Sequence, residues 1–326
     1  MLKYFELFKQ YKNELTWFFK IVFSLLLIYL LYYQLDAKIS STTSLYYLFQ
    51  SFSLLSYFFL FLVFVLMILN WGLESYKWKL LVNRIQDYSF FKSFQSVLAG
   101  LSISMFTPNR TGEFLGRMFF IKEELRLKSI TLSVAGSMAQ WSATLFFGSL
   151  SLLAALKYNL IKIDSFFLLL FLVALLISCI LSLLILYHPN LILHFTRNTR
   201  INYWIQKVTV RKIPNSFMNS LVLISLFRYL IFVLQFYLLL LIFKTDISVF
   251  KLVILIPCIF TAITLLPTFA FSEIGIRGNV ALFFLSSYSQ NSLGIVSAAL
   301  LIWVINLLIP SLIGGLFILN LKSKQQ

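Results

Sequence analysis

Apolar residues in this chain come in long unbroken runs, without the alternation of a half-buried strand or the one-sided stripe of a soluble helix. Six runs, at approximately 15–35, 45–71, 130–156, 164–187, 219–243 and 294–319, reach the about 20 residues a helix needs to cross hydrocarbon. Two further stretches are shorter and are broken in the same way. One runs from Phe91 to Thr107, meets Pro108 and resumes as Glu113-Phe-Leu-Gly-Arg117-Met-Phe-Phe-Ile121. The other runs from Val249 to Leu266, meets Pro267 and resumes as Glu273-Ile-Gly-Ile-Arg277-Gly-Asn-Val-Ala-Leu-Phe-Phe-Leu285. Each is either a full crossing or a re-entrant hairpin that enters and leaves on one face.

The distribution of Lys and Arg in short loops arbitrates, because such residues gather on the cytoplasmic side. If all eight segments cross, the basic residues divide 14 to 12, which is no bias. If both broken segments are re-entrant, 20 lie inside and 6 outside, with Arg228 inside a span. The second arrangement is adopted, with both termini cytoplasmic in an inner, cytoplasmic membrane. It predicts an all-α integral membrane protein, a single polytopic domain over residues 1–326. Six full transmembrane helices and two re-entrant or broken hairpins form two repeats, at about 15–156 and 164–319. Three crossings per repeat would invert the second relative to the first. Glu113 and Glu273 stand 160 residues apart, as do Arg117 and Arg277. Of only 11 glycines, Gly112, Gly116, Gly275 and Gly278 fall in these two motifs. With Pro108 and Pro267 they are the candidate hairpin and hinge positions. Paired broken segments of this kind mark a midplane substrate site in transporters.

Composition agrees with the pattern: 60% of the 326 residues are hydrophobic and 12% charged, far from soluble proportions. The net charge of +16 does not imply nucleic acid, since apolar runs separate the basic residues. Cys179 and Cys258 lie inside apolar runs and form no disulfide framework or metal-ligand spacing. His188 and His194 flank a Pro-containing loop without a Cys or Asp nearby, and are expected to be loop histidines. No phosphate-loop, zinc-protease, nucleophile-elbow or lipidation motif is present, and no cofactor or metal is expected. The basic segments 74–90 and 188–218 are expected to lie on the inner surface against anionic lipid.

A charge at membrane depth costs about 2.5–3.5 kcal/mol even on the lenient insertion scale, so it needs a partner and a use. Glu113 with Arg117, and Glu273 with Arg277, are spaced i, i+4 and share a helix face. Arg offers a planar fork suited to phosphate, and the turns before each motif precede helix starts that favour anions. The candidate substrate-binding residues are therefore Glu113, Arg117, Glu273, Arg277, Arg110 and Arg228, and the expected ligand is an anionic headgroup. The alternative is that each pair is a self-neutralising staple holding its hairpin in the bundle. Arg110 is either a second phosphate contact or a loop charge. Arg228 shares a face with Gln235 and should point inward toward Glu113 or Glu273, or else snorkel to the interface. Gln140 and Asn306, in the last span of each half, are expected to be interhelical hydrogen-bonding amides, the alternative being that they line the same cavity.

At these residues the chain resembles the lysylphosphatidylglycerol synthase transmembrane-region, or flippase-like, family. The resemblance rests on Thr107-Pro-Asn-Arg-Thr-Gly-Glu-Phe-Leu-Gly-Arg117, on Leu266-Pro267 with Ser272-Glu-Ile-Gly-Ile-Arg277, and on Asn306-Leu-Leu-Ile-Pro310 with Gly314-Gly315. It implies a lipid-translocating membrane module, in some relatives fused to a soluble aminoacyl-transferring domain. The longest polar segment here, 188–218, is too short for such a domain. The second motif also departs from the commoner Gly-Gly-x-Gly-x-Arg-Glu form, with Glu273 in place of a Gly and Gly278 in place of the Glu, so substrate identity does not carry over. The implied partners are membrane phospholipids or polyprenyl-phosphate lipids, with a homodimer left open. An intramembrane enzyme of lipid metabolism and a non-transporting assembly subunit are the alternatives.

Overall fold

Backbone polar groups inside hydrocarbon must be satisfied within their own segment, and every regular element among the described residues is accordingly helical. The computed structural model describes residues 52–161, 163–188, 214–268 and 270–323, together with Tyr29. Apart from Tyr29, the expected first span at 15–35 lies outside the described residues, as do His194 and residues 189–213, while the end of the expected 188–218 surface segment, from Asn215, is helix. Numbered from the first described element that follows, the helices are α1 (Leu54–Val82), α2 (Phe90–Ser104), α3 (Gly112–Met118), α4 (Arg126–Lys157), α5 (Ser165–Tyr187) and α6 (Asn215–Ile242). They continue with α7 (Val249–Leu265), α8 (Ala270–Leu285), α9 (Ser292–Trp303) and α10 (Ile309–Ser323).

Five described stretches are long and apolar enough to cross a membrane: Leu54–Val82, Glu123–Lys157, Ser165–Tyr187, Asn215–Ile242 and Ser292–Asn320. They overlap five of the six expected spans. One boundary needs correcting. α1 does not stop near residue 71 but runs to Val82, and Glu74, Ser75, Lys77, Trp78 and Leu81 are buried in it. The first part of the 74–90 segment is therefore helix interior to the bundle rather than a surface strip. Asn70, Glu74, Lys77 and Trp78 share one face of α1, and that face turns inward.

The broken segments are short helices. α2 has 15 residues and α7 has 17, which rise roughly 22 and 26 Å, less than the about 30 Å of hydrocarbon. Both break at the expected prolines. Pro108 opens a 3-10 turn through Arg110 before α3, and Pro267 lies between α7 and α8. Gly275 and Gly278 lie inside the continuous helix α8, so they are not the break. Gly116 is likewise a contact point rather than a hinge. A Cβ there would stand 2.5 Å from the Gly100 Cα, so α3 folds back on α2 only because both positions are glycine.

Helix limits recur at one offset along the chain. α1 and α6 begin 161 residues apart and end 160 apart; α2 and α7 begin 159 apart and end 161 apart. α1 packs on α6, α2 on α3 and α10, and α4 on α5 and α7. α9 and α10 are joined by a π turn over Val304–Leu308. Pro310 explains that turn, because it has no N–H to give the Asn306 carbonyl in an α-helical register. That carbonyl instead takes the Trp71 indole N–H at 3.1 Å, tying the turn to α1.

Candidate functional site

The two hairpin tips meet. Asn109 donates its backbone N–H to the Thr268 carbonyl at 2.8 Å, and its side-chain oxygen accepts the Thr268 N–H at 2.9 Å. Asn109 and Arg110 both have left-handed backbone, φ 49° and 57°, which is common for Asn and strained for Arg. Arg110 is held there from the other hairpin: it donates from Nε and Nη2 to Glu273 Oε1 at 2.9 and 2.8 Å, and from Nη2 to Oε2 at 2.7 Å. Arg110 is thus no free loop charge but a cross-tie between segments 163 residues apart. Behind the tip, Gly112 starts α3 and gives its N–H to the Thr107 hydroxyl at 2.7 Å.

Glu273 also accepts the Trp303 indole N–H at 2.9 Å and faces Arg277 Nε at 3.5 Å. The i, i+4 pair on α8 therefore forms, but loosely. The Arg277 Nε is buried without a hydrogen bond, and this contact with Glu273 is its ion pair among the described residues. On the other hairpin, Arg117 forms its pair with Glu113 and also donates to Glu74 Oε1 at 2.7 Å. Its guanidinium lies 4.9 Å above the Trp78 ring. Ser96 links the two, receiving the Trp78 indole N–H at 3.0 Å and donating to the Arg117 carbonyl at 3.1 Å.

Glu74 is the hub that the sequence reading missed. Besides Arg117 it pairs with Lys77 at 2.8 Å and with Arg228 Nη1. Arg228 does point inward, yet neither to Glu113 nor to Glu273. Its Nε donates to the Asn70 side chain at 2.8 Å and its Nη1 to Gln140 at 2.9 Å. Gln140 is therefore part of the charged cluster as well as an interhelical amide. Gln235, on the same helix as Arg228, is spent elsewhere, donating to the Val63 carbonyl at 2.9 Å. Lys77 Nζ is also held by the Gly136 carbonyl at 3.3 Å and the Ser225 hydroxyl at 3.4 Å. The signal for Glu74 and Lys77 was the inward face of α1, masked by Lys79 and Arg84 nearby.

These groups surround a cavity of about 490 Å³, inside the range of roughly 300–1,000 Å³ for small-molecule sites. Its charged lining is Glu74, Lys77, Arg110, Glu113, Arg228, Glu273 and Arg277. Arg117 is not in the lining; it sits behind the wall, 4% exposed, and fixes Glu74 and Glu113. The lining also has apolar residues, among them Trp141, Leu265 and Leu266, which are exposed. The cavity thus joins a charged interior to an apolar margin. The described residues hold no group of three His, Cys, Asp or Glu able to bind a metal ion, and Cys179 and Cys258 are buried apart from the cavity lining.

No curated protein matches the chain. The family model for the lysylphosphatidylglycerol synthase TM region matches residues 17–314, which include α1 to α9, both hairpin tips and every charged residue of the cavity. The chain therefore belongs to the lysylphosphatidylglycerol synthase TM region family and is a membrane-embedded protein of several apolar helices.

Proposed function

We propose that this protein receives the anionic headgroup of a membrane lipid in the cavity between its two hairpins and passes it across the bilayer, the acyl chains remaining in hydrocarbon. The observation that carries this reading is Arg277, which lines the cavity, faces Glu273 only at 3.5 Å and leaves its buried Nε without a hydrogen bond. An Arg held this loosely at membrane depth favours a ligand that supplies further acceptors. The exposed apolar margin at Trp141, Leu265 and Leu266 supports a ligand whose tail leaves sideways.

The recurring offset of helix limits supports an internal repeat, and an inverted sense would let one half rock against the other around the cavity. Three of the 20 basic residues assigned to the cytoplasmic face, Lys77, Arg110 and Arg117, belong to the cavity or its wall, as does Arg277 on the other side. Removing them leaves 17 against 5, so the bias toward cytoplasmic termini survives. The staple alternative applies to Arg117, whose place behind the wall suits a holding role.

The test is Arg277→Ala in liposomes containing a headgroup-labelled anionic lipid, with wild-type-like elution and melting as the check on folding. Translocation should fall at least tenfold. Unchanged movement would defeat the mechanism, and a chemically altered lipid in the wild-type liposomes would replace it with an enzymatic one.

A further inference from the structure

The charges around the cavity do not cancel. Lys77, Arg110, Arg117, Arg228 and Arg277 are five cations, against the three carboxylates Glu74, Glu113 and Glu273. They fall into two groups with no ion pair between them. Glu74 and Glu113 hold Lys77, Arg117 and Arg228. Glu273 holds Arg110 and Arg277. With each residue in its ordinary charged form, each group carries a surplus of one positive charge. Such a surplus away from water is destabilising unless a counter-ion completes it.

The unused donors lie in both groups. Arg228 keeps Nη2 and Arg110 keeps Nη1 without an acceptor among the described residues, and Arg277 is held only by its 3.5 Å contact with Glu273. The carboxylates, by contrast, are engaged through both oxygens at Glu74 and Glu273 and through one at Glu113. Glu74 faces three cations, Glu273 faces two cations and the Trp303 indole, and Glu113 faces Arg117. A headgroup amine would find only the second oxygen of Glu113 open, while a second negative charge and a third oxygen would find several donors and a surplus of positive charge.

We infer that the cavity is matched to a lipid ending in a phosphomonoester, such as a phosphatidate or a polyprenyl monophosphate, rather than to a phosphodiester or amine-bearing headgroup. This rests on the reading of the cavity as a lipid-headgroup site and narrows it. A terminal monoester brings close to two negative charges above its second ionisation near pH 6, and three terminal oxygens. A diester brings one charge and two such oxygens.

The experiment is calorimetric titration of the purified full chain in neutral detergent with dihexanoyl phosphatidate, dihexanoyl phosphatidylglycerol and inorganic phosphate. At pH 8 phosphatidate should bind at least about tenfold more tightly than phosphatidylglycerol. The gap should shrink toward equality at pH 5.5, where the monoester loses its second charge. Arg277→Gln and Arg110→Gln, each checked for folding by melting, should each narrow it. Equal binding of the two lipids at pH 8 would overturn the monoester inference and leave the lipid site standing. Inorganic phosphate binding as tightly as phosphatidate would overturn it in favour of a free anion. Binding of neither lipid would overturn both the inference and the lipid-site reading beneath it.

Discussion

Glu74 offers the sharpest energetic test of how the site is held together. Glu74→Leu removes the shared partner of Lys77, Arg117 and Arg228, of which Lys77 and Arg117 lie at 2.8 and 2.7 Å. At an effective dielectric of 20, one such contact is about 6 kcal/mol before desolvation is counted. Breaking a buried pair while leaving its partner behind costs about 3–5 kcal/mol net. With a few degrees of melting temperature per kcal/mol, Glu74→Leu should melt roughly 10 °C lower in mild detergent. Adding Lys77→Met restores the wild-type charge balance of that cluster. The double variant should therefore recover much of the loss, even though two native side chains are gone. The assay is thermal unfolding of both purified variants alongside wild type. A Glu74→Leu protein that melts like wild type, or a double variant no better than the single one, would refute the charge accounting.

Other outcomes follow from the same geometry. Gly314→Ala should lower stability by about 1–3 kcal/mol, because its Cβ would stand 1.9 Å from the Leu98 carbonyl oxygen. Gly72→Ala has nothing within 4 Å of the new methyl and should be neutral or slightly stabilising, so equal melting shifts for the two would contradict the packing. Asn109→Cys with Thr268→Cys, on a background lacking Cys179 and Cys258, should cross-link under mild oxidation, since the two backbones are hydrogen-bonded. Failure to cross-link at any oxidant level would place the hairpin tips apart. Impermeant labelling of cysteines introduced at the hairpin bases, in the 119–125 and 286–291 loops, should report opposite sides of the membrane if the repeats are inverted, and one side if they are not.

Much of the site was legible in the sequence because a charge inside an apolar run has few explanations. The two Glu/Arg motifs, the proline breaks and the inward Arg228 all stand out against uncharged neighbours. The structure adds that the first motif is a wall and the second an open face, a distinction that i, i+4 spacing alone does not make. Glu74 and Lys77 were hidden for the opposite reason. They sit at the end of an apolar run, followed by Lys79 and Arg84, where polarity ordinarily signals the membrane surface. Only the packing of α1 against α6 shows that their face turns inward. The Arg110–Glu273 tie was likewise beyond reach, since it joins residues with no shared periodicity. The role of Gly116 as a contact with Gly100 depends on how α3 folds back, which spacing does not fix.

The central claim is that an anionic lipid headgroup sits in the cavity against Arg277. An experimental structure of the protein in nanodiscs rich in phosphatidate tests it most directly. The account predicts headgroup density within hydrogen-bonding distance of the Arg277 guanidinium, with tail density leaving past Trp141, Leu265 and Leu266. Acyl chains filling the charged side of the cavity, or a cavity holding only water under those conditions, would contradict it.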